Sequence, residues 1–171
     1  MVFRFIMLCV RMEYGRFLFG KIGSYMRLEE KLYRDPTAVK TDEGSCRVIR
    51  LENESGYGTL YCYMVEDGME VVYNDIHMEC WNSDQQEISD SVEINYCRSG
   101  RFECEFRDKT CLYIGPGDFA VNILTNKPVK PSFPLKDYQG ISLLLDIEKT
   151  QQIVDRVLPE AIDVRTIFKK M

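Results

Sequence analysis

The sequence predicts a mainly β domain: a small barrel or sandwich of about eight short strands, closed by a helix. Three observations carry this. Arg101–Arg107 alternates charged and apolar residues at every step, the pattern of a half-buried antiparallel strand. Short segments rich in β-formers recur between Gly, Pro and Asp turns. An apolar stripe of helical period is confined to the C-terminal end. The chain has 171 residues, 45% hydrophobic and 29% charged, which suits one globular domain with a full core.

Residues 1–26 stand apart, being apolar with Arg4, Arg11, Arg16 and Lys21 against the single acid Glu13. The apolar run Phe5–Val10 is bounded by Arg4 and Arg11. It is too short for a signal peptide core, and a membrane span needs about 20 apolar residues. Two readings stay open: a basic amphipathic extension, or an over-extended gene start with Met12 or Met26 as initiator.

Leu28–Tyr33 reads as a short helical or irregular lead-in that stops at Asp35-Pro36. Residues 34–45 read as a polar loop, and Cys46–Leu51 as a short strand. Thr59–Val65 and Met69–Met78 form a hairpin about the turn Glu66-Asp67-Gly68. Asn82–Glu87 is a polar loop. Val92–Cys97, Arg101–Arg107 and Thr110–Ile114 are strands separated by Arg98-Ser99-Gly100 and Asp108-Lys109. Gly115-Pro116-Gly117-Asp118 is a turn, after which Phe119, Val121 and Ile123 alternate. Asn126–Leu135 is an irregular connection with three prolines. Gly140–Ile147 is nearly continuous apolar, a strand covered on both faces. Asp146 or Glu148 opens a helix whose stripe is Ile153, Val154, Val157 and Leu158, and Pro159 ends it. A second short helix falls within 160–171.

Charge and side-chain inventory narrow the chemistry. Lys and Arg number 22 against 27 Asp and Glu, a net charge of −5, which argues against direct contact with a nucleic-acid backbone. The seven cysteines, at positions 9, 46, 62, 80, 97, 104 and 111, include no CxxC pair. The expectation is reduced thiols in a cytoplasmic protein. Cys104 lies on the apolar face of its strand as a small core residue. A small barrel with a Gly-rich turn after an alternating strand points to the cupin group. Metal cupins hold their ion with two or three histidines and a glutamate. With His77 as its one histidine, this chain is expected to bind no metal and no cofactor, and to be no enzyme. His77 and Cys80 are three residues apart, and positions i and i+3 of a strand face opposite ways. His77 reads either as a ligand contact or as a satisfied half-buried side chain. Trp81 either stacks on a flat ligand at a barrel mouth or plugs the end of the core.

The segments Tyr73-Asn-Asp-Ile-His77, Cys80, Val92-Glu-Ile-Asn-Tyr-Cys-Arg-Ser-Gly-Arg-Phe-Glu-Cys104 and Tyr113-Ile-Gly-Pro-Gly-Asp118 together resemble the N-terminal sensing domain of AraC-type transcription regulators. The stretch EINYCRSGRFECEF is similar to a recurrent EINHCREGRxECEF of that family, with Tyr96 where the motif often has histidine. The likeness runs from about Leu28 to about Ile167. It implies a cupin-like double-stranded β-barrel (a jelly roll) over 27–147 that binds a small effector, and a helical dimerisation segment over 148–171. The family's name points to sugars, though no residue selects them. Such regulators carry a further double helix-turn-helix domain of about a hundred residues. Met171 is expected to precede it, so this chain would contact no DNA and no membrane and would form a homodimer. The candidate ligand contacts are His77, Trp81, Asn95 and Tyr96. Asn95 and Tyr96 are chain neighbours, so only one of them can point inward. The competing expectations are a stand-alone sensor that forms mixed dimers with full-length relatives, and a metal-free cupin isomerase or epimerase.

Overall fold

The structure is a computed structural model that describes residues 27–129, 131–158 and 163–169. The segment 1–26, read above as an extension, lies outside the described residues. Twelve elements follow in chain order: α1 (Leu28–Leu32), β1 (Val39–Glu43), β2 (Cys46–Asn53), β3 (Gly56–Glu66), β4 (Met69–His77), β5 (Ser91–Gly100), β6 (Phe102–Glu105), β7 (Cys111–Ile114), β8 (Phe119–Ile123), β9 (Tyr138–Asp146), α2 (Ile147–Val157) and α3 (Val164–Lys169). One antiparallel sheet of seven strands runs β1-β2-β3-β4-β9-β5-β8, and β6 and β7 form a separate two-stranded ladder. The late strand β9 enters between β4 and β5, so the two halves of the chain are stitched through it. This is the mainly β, jelly-roll architecture with C-terminal helices that the sequence predicts.

Residues paired across an antiparallel ladder share a face, so the register fixes what points inward. One row reads Cys62, Val72, Ser142, Asn95, Ala120 and the next Glu70, Leu144, Glu93, Asn122. The inner face also carries Ile49, Leu60, Ile76 and Leu144, all fully buried in the main core. The outer face of β5 and β9 carries Val92, Ile94 and Leu145, which form a second cluster with Met69. Ile147, Ile153 and Phe168 of α2 and α3 pack onto it. This explains why β9 is apolar on both faces.

The alternation Phe119, Val121, Ile123 marks the outer face of β8. Phe119 and Ile123 are exposed there, while Ala120 and Asn122 share the inward face through their partners Asn95 and Glu93. Residues 34–45, expected as a loop, contain β1, which pairs with β2 from Val39↔Arg50 to Glu43↔Cys46. All five of its residues are exposed, so this edge strand has no apolar period to betray it.

Three charged side chains anchor α1. Its N-cap residue Arg27 makes no side-chain cap. Instead Glu70 of β4 accepts from the backbone amides of Leu28 at 2.6 Å and Glu29 at 3.1 Å, taking up N–H groups that a helix start leaves open. Fully buried Glu29 accepts from Arg47 Nη1 at 3.1 Å, and Arg47 also bonds Glu30 and Asp42. At the other end of β5, Gly100 has φ +79°, and a Cβ there would lie 1.9 Å from the Asp137 carbonyl. Only glycine fits where the chain leaves β5 so close to the start of β9. The helix α2 begins directly after β9, and Asp146 caps it by accepting from the Lys149 amide at 3.0 Å.

Candidate functional site

Inside the sheet lies a cavity of about 110 Å³. Its walls are apolar where Leu60, Ile76, Phe102, Phe133 and Tyr138 meet. The rings of Phe102, Phe133 and Tyr138 stand 5.5–5.9 Å apart as a cluster. The alternating strand β6 supplies this wall: Phe102, Cys104 and Phe106 turn in. Burial pushes the Cys104 thiol up to about 11, with Glu93 adding to the rise, so it stays a protonated wall residue.

The polar side of the cavity is one connected network on four strands. Asn74 Nδ2 of β4 donates to Ser142 Oγ of β9 at 2.9 Å, and the Ser142 hydroxyl donates to Asn95 Oδ1 of β5 at 2.6 Å. The network ends beside Glu93, whose carboxyl is surrounded by the neutral polar groups of Asn95, Asn122, Tyr33 and Ser142. Tyr33, held over the cavity by α1, donates from its hydroxyl to Glu93 Oε1 at 3.1 Å. Burial holds the Glu93 carboxyl above the usual carboxylate range, and these neutral donors pull it only part of the way back. Burial, with the nearby Glu93 charge, also holds the Tyr33 hydroxyl well above its ordinary value.

The four residues singled out from the sequence separate. Asn95 points into the cavity and is part of the network. Trp81 lines the mouth, its ring 5.8 Å from that of Tyr33 and its Nε1 donating to Asp35 Oδ2 at 2.9 Å. Tyr96 points outward, where its ring lies 4.8 Å from Phe119. His77 also lies outside the cavity lining. Its Nε2 is 3.1 Å from Asp75 and its Nδ1 is 3.4 Å from Asp137, beside the Tyr57 ring. The period-2 rule explains both departures: on β4 the inward positions are Asn74 and Ile76, and on β5 they are Glu93 and Asn95. Sequence reasoning passed over Glu93, Tyr33, Asn74, Asn122 and Ser142. The one available signal was the polar pair Glu93 and Asn95 at i and i+2 within an otherwise apolar strand.

Among the described residues, no group of three or more His, Cys, Asp or Glu is placed to hold a metal ion. The cavity offers a carboxylate and a thiol but no imidazole, because His77 is the chain's only histidine. This donor set does not fit the histidine-rich metal site of the cupin group. No helix among the described residues is long and apolar enough to cross a membrane.

Fold and cavity define a cupin-like domain, a β-barrel enclosing a cavity of small-molecule size. No protein-family profile matches the chain, and no curated protein matches it. Among solved structures, it is similar to a Cupin 2 conserved barrel domain protein from Salinispora arenicola, at 15% identity and a TM-score of 0.43 over 69% of this chain and 90% of that one. It is also similar to an HTH_3 family transcriptional regulator from Vibrio cholerae, at 12% identity and a TM-score of 0.39 over 59% of this chain. The match spans about half of that regulator, 51%. A third is ectoine synthase from P. lautus, at 17% identity and a TM-score of 0.37 over 71% of this chain and 76% of that one. The expectation that the chain is no enzyme is corrected here: a synthase stands among the matches beside a regulator, so the fold leaves catalysis open.

Proposed function

We propose that this chain is the effector-binding and dimerisation part of an AraC-type transcription regulator. The observation that carries the reading is that cavity contacts and helix-packing contacts share two strands. Asn95 and Ser142 face the cavity, while their chain neighbours Ile94 and Leu143 belong to the cluster under α2 and α3. A ligand that bonds Asn95 and Ser142 therefore acts on strands whose other face carries the helices. It shifts their arrangement to the extent that it binds one arrangement better than another. The helices keep Val157 and Ile167 exposed, and in this reading they meet a second copy. The motif resemblance around Val92–Cys104 supports the same assignment.

The test is a titration of the whole chain with neutral aldoses, polyols and small amines, followed by NMR and by sedimentation. The expected result is movement of the Asn95 and Asn122 side-chain amides together with α2 resonances, a change in self-association, and ligand recovered unchanged. Cavity shifts with α2 and the oligomeric state unmoved would sink the sensing role.

One observation favours a second reading, a metal-free isomerase. The Glu93 carboxyl, raised by burial, lies against the Tyr33 hydroxyl at 3.1 Å, an arrangement suited to general acid–base catalysis. Conversion of the ligand during the titration, lost in Glu93→Gln, would select that reading.

A further inference from the structure

The cavity polarity is one-sided. Among the described residues, its lining includes the carboxyl of Glu93 and the neutral groups of Asn74, Asn95, Asn122 and Ser142, but no Lys, Arg or His. Among the described residues, none of the chain's ion pairs involves Glu93; its partners are amides and hydroxyls. The direction of the network matters as much as its charge. Asn74 donates to Ser142, and Ser142 donates to Asn95 Oδ1. That fixes the Asn95 amide with its NH₂ end toward Glu93. Donors thus converge on one acceptor, and among the described residues no cation neutralises it. The other titratable groups in the lining respond to this. Tyr33, Tyr138 and Cys104 are all held above their ordinary values by burial, with Glu93 adding to each rise.

The same lining carries the aromatic rings of Phe102, Phe133, Tyr138 and Trp81. Their faces carry the negative end of the ring quadrupole and attract a cation. An anion entering here meets the Glu93 carboxyl and aromatic rings, with no cation among the described lining residues. We propose that the cavity selects small ligands with a single ammonium group on an apolar body, using Glu93 as counter-charge, and excludes anions. This rests on the reading of the cavity as a ligand site and names its ligand class. A cavity of about 110 Å³ is smaller than the roughly 150 Å³ that holds benzene, so it has room for about four or five heavy atoms.

The test uses n-butylammonium, n-butanol and butyrate, three probes of matched length and different charge, with ethylene glycol as a small neutral polyol. Each is titrated into the whole chain and into Glu93→Gln at about pH 8, on the alkaline side that favours the charged form of a carboxyl raised by burial. The expected result is n-butylammonium binding at least about tenfold tighter than n-butanol, no binding of butyrate, and loss of that tenfold in Glu93→Gln with n-butanol unchanged. Butyrate binding best, or an ammonium preference that survives Glu93→Gln, overturns the inference. Ethylene glycol moving the Asn95 and Asn122 amides while n-butylammonium does not overturns it too, but leaves the ligand-site reading standing. No probe, charged or neutral, moving those amides overturns both. A second measurement needs no variant: n-butylammonium should lower the titration midpoint of the Glu93 carboxyl carbon in the wild-type chain, and n-butanol should not. An unmoved midpoint with n-butylammonium bound overturns the inference.

Discussion

Two carboxylate clusters are built into the same sheet in opposite ways. Under α1, Glu29 is fully buried but faces the Arg47 guanidinium, and Glu70 is occupied by two backbone amides. In the cavity, Glu93 has only neutral donors. Burial raises all three carboxyls. At α1, Arg47 and the helix amides offset that cost from within the chain. At Glu93 no described residue of opposite charge does, although the Tyr33 hydroxyl donates to it and neutral amides surround it. The first cluster is closed to ligands and fixes an element; the second is left open electrostatically on the side that faces the cavity.

The largest effect should come from breaking the closed cluster. Arg47→Met removes the cation from Glu29 and should cost about 3–5 kcal/mol in urea unfolding at neutral to alkaline pH. A loss below about 1 kcal/mol would show that the pair is no anchor. Next is pH. Burial pushes the Glu29 carboxyl up to about 7 from an ordinary 4.5. The folded state therefore holds its proton more tightly than the unfolded chain. Its contribution is fully present below the unfolded value, declines as pH rises, and is gone above about 7. Compared with Glu29→Gln, the wild type should lose about 3 kcal/mol of stability across that window. A difference between the two curves that is flat with pH would contradict the assignment. Glu70 and Glu93 shift in the same direction, so a slope of the same sign should remain in Glu29→Gln.

Smaller effects sharpen the contrast. Glu70→Gln weakens the cap on α1 and should cost about 1 kcal/mol, with faster hydrogen exchange at the Leu28 and Glu29 amides. Tyr33→Phe removes one donor from Glu93 and should cost less than about 1 kcal/mol. Because that hydrogen bond pulls the carboxyl down, the Glu93 titration should move further up. A downward move would show that Tyr33 is not its donor.

Local chemistry made most of the strands legible. The β3–β4 hairpin, the alternation of β6 and the stripe of α2 are written in residues close together in the chain. What the sequence hid depends on what lies across the barrel. Read alone, β5 leaves open which of the neighbours Asn95 and Tyr96 points inward. The helices settle this by covering the outer side, while the cavity gives the inner side a use for polar groups. Asn95 and Trp81 reached the cavity lining and Tyr96 and His77 did not, because the assignment depended on parity along each strand. Glu93, Asn122, Ser142 and Asn74 come together from four strands, a long-range pairing with no local signature. β1 escaped because an edge strand exposed on both faces carries no period.

Asp146 is both the last residue of β9 and the cap of α2, so the strand passes into the helix with no linker. Mechanically this is a lever with its fulcrum at the edge of the sheet. The 11 residues of α2 make an arm of about 16 Å, so a tilt of about 5° at the junction carries the far end about 1.5 Å. Ser142, four positions before the fulcrum, sits on the short arm beside the cavity. A slack joint would absorb such a displacement; a junction without a linker leaves no such slack.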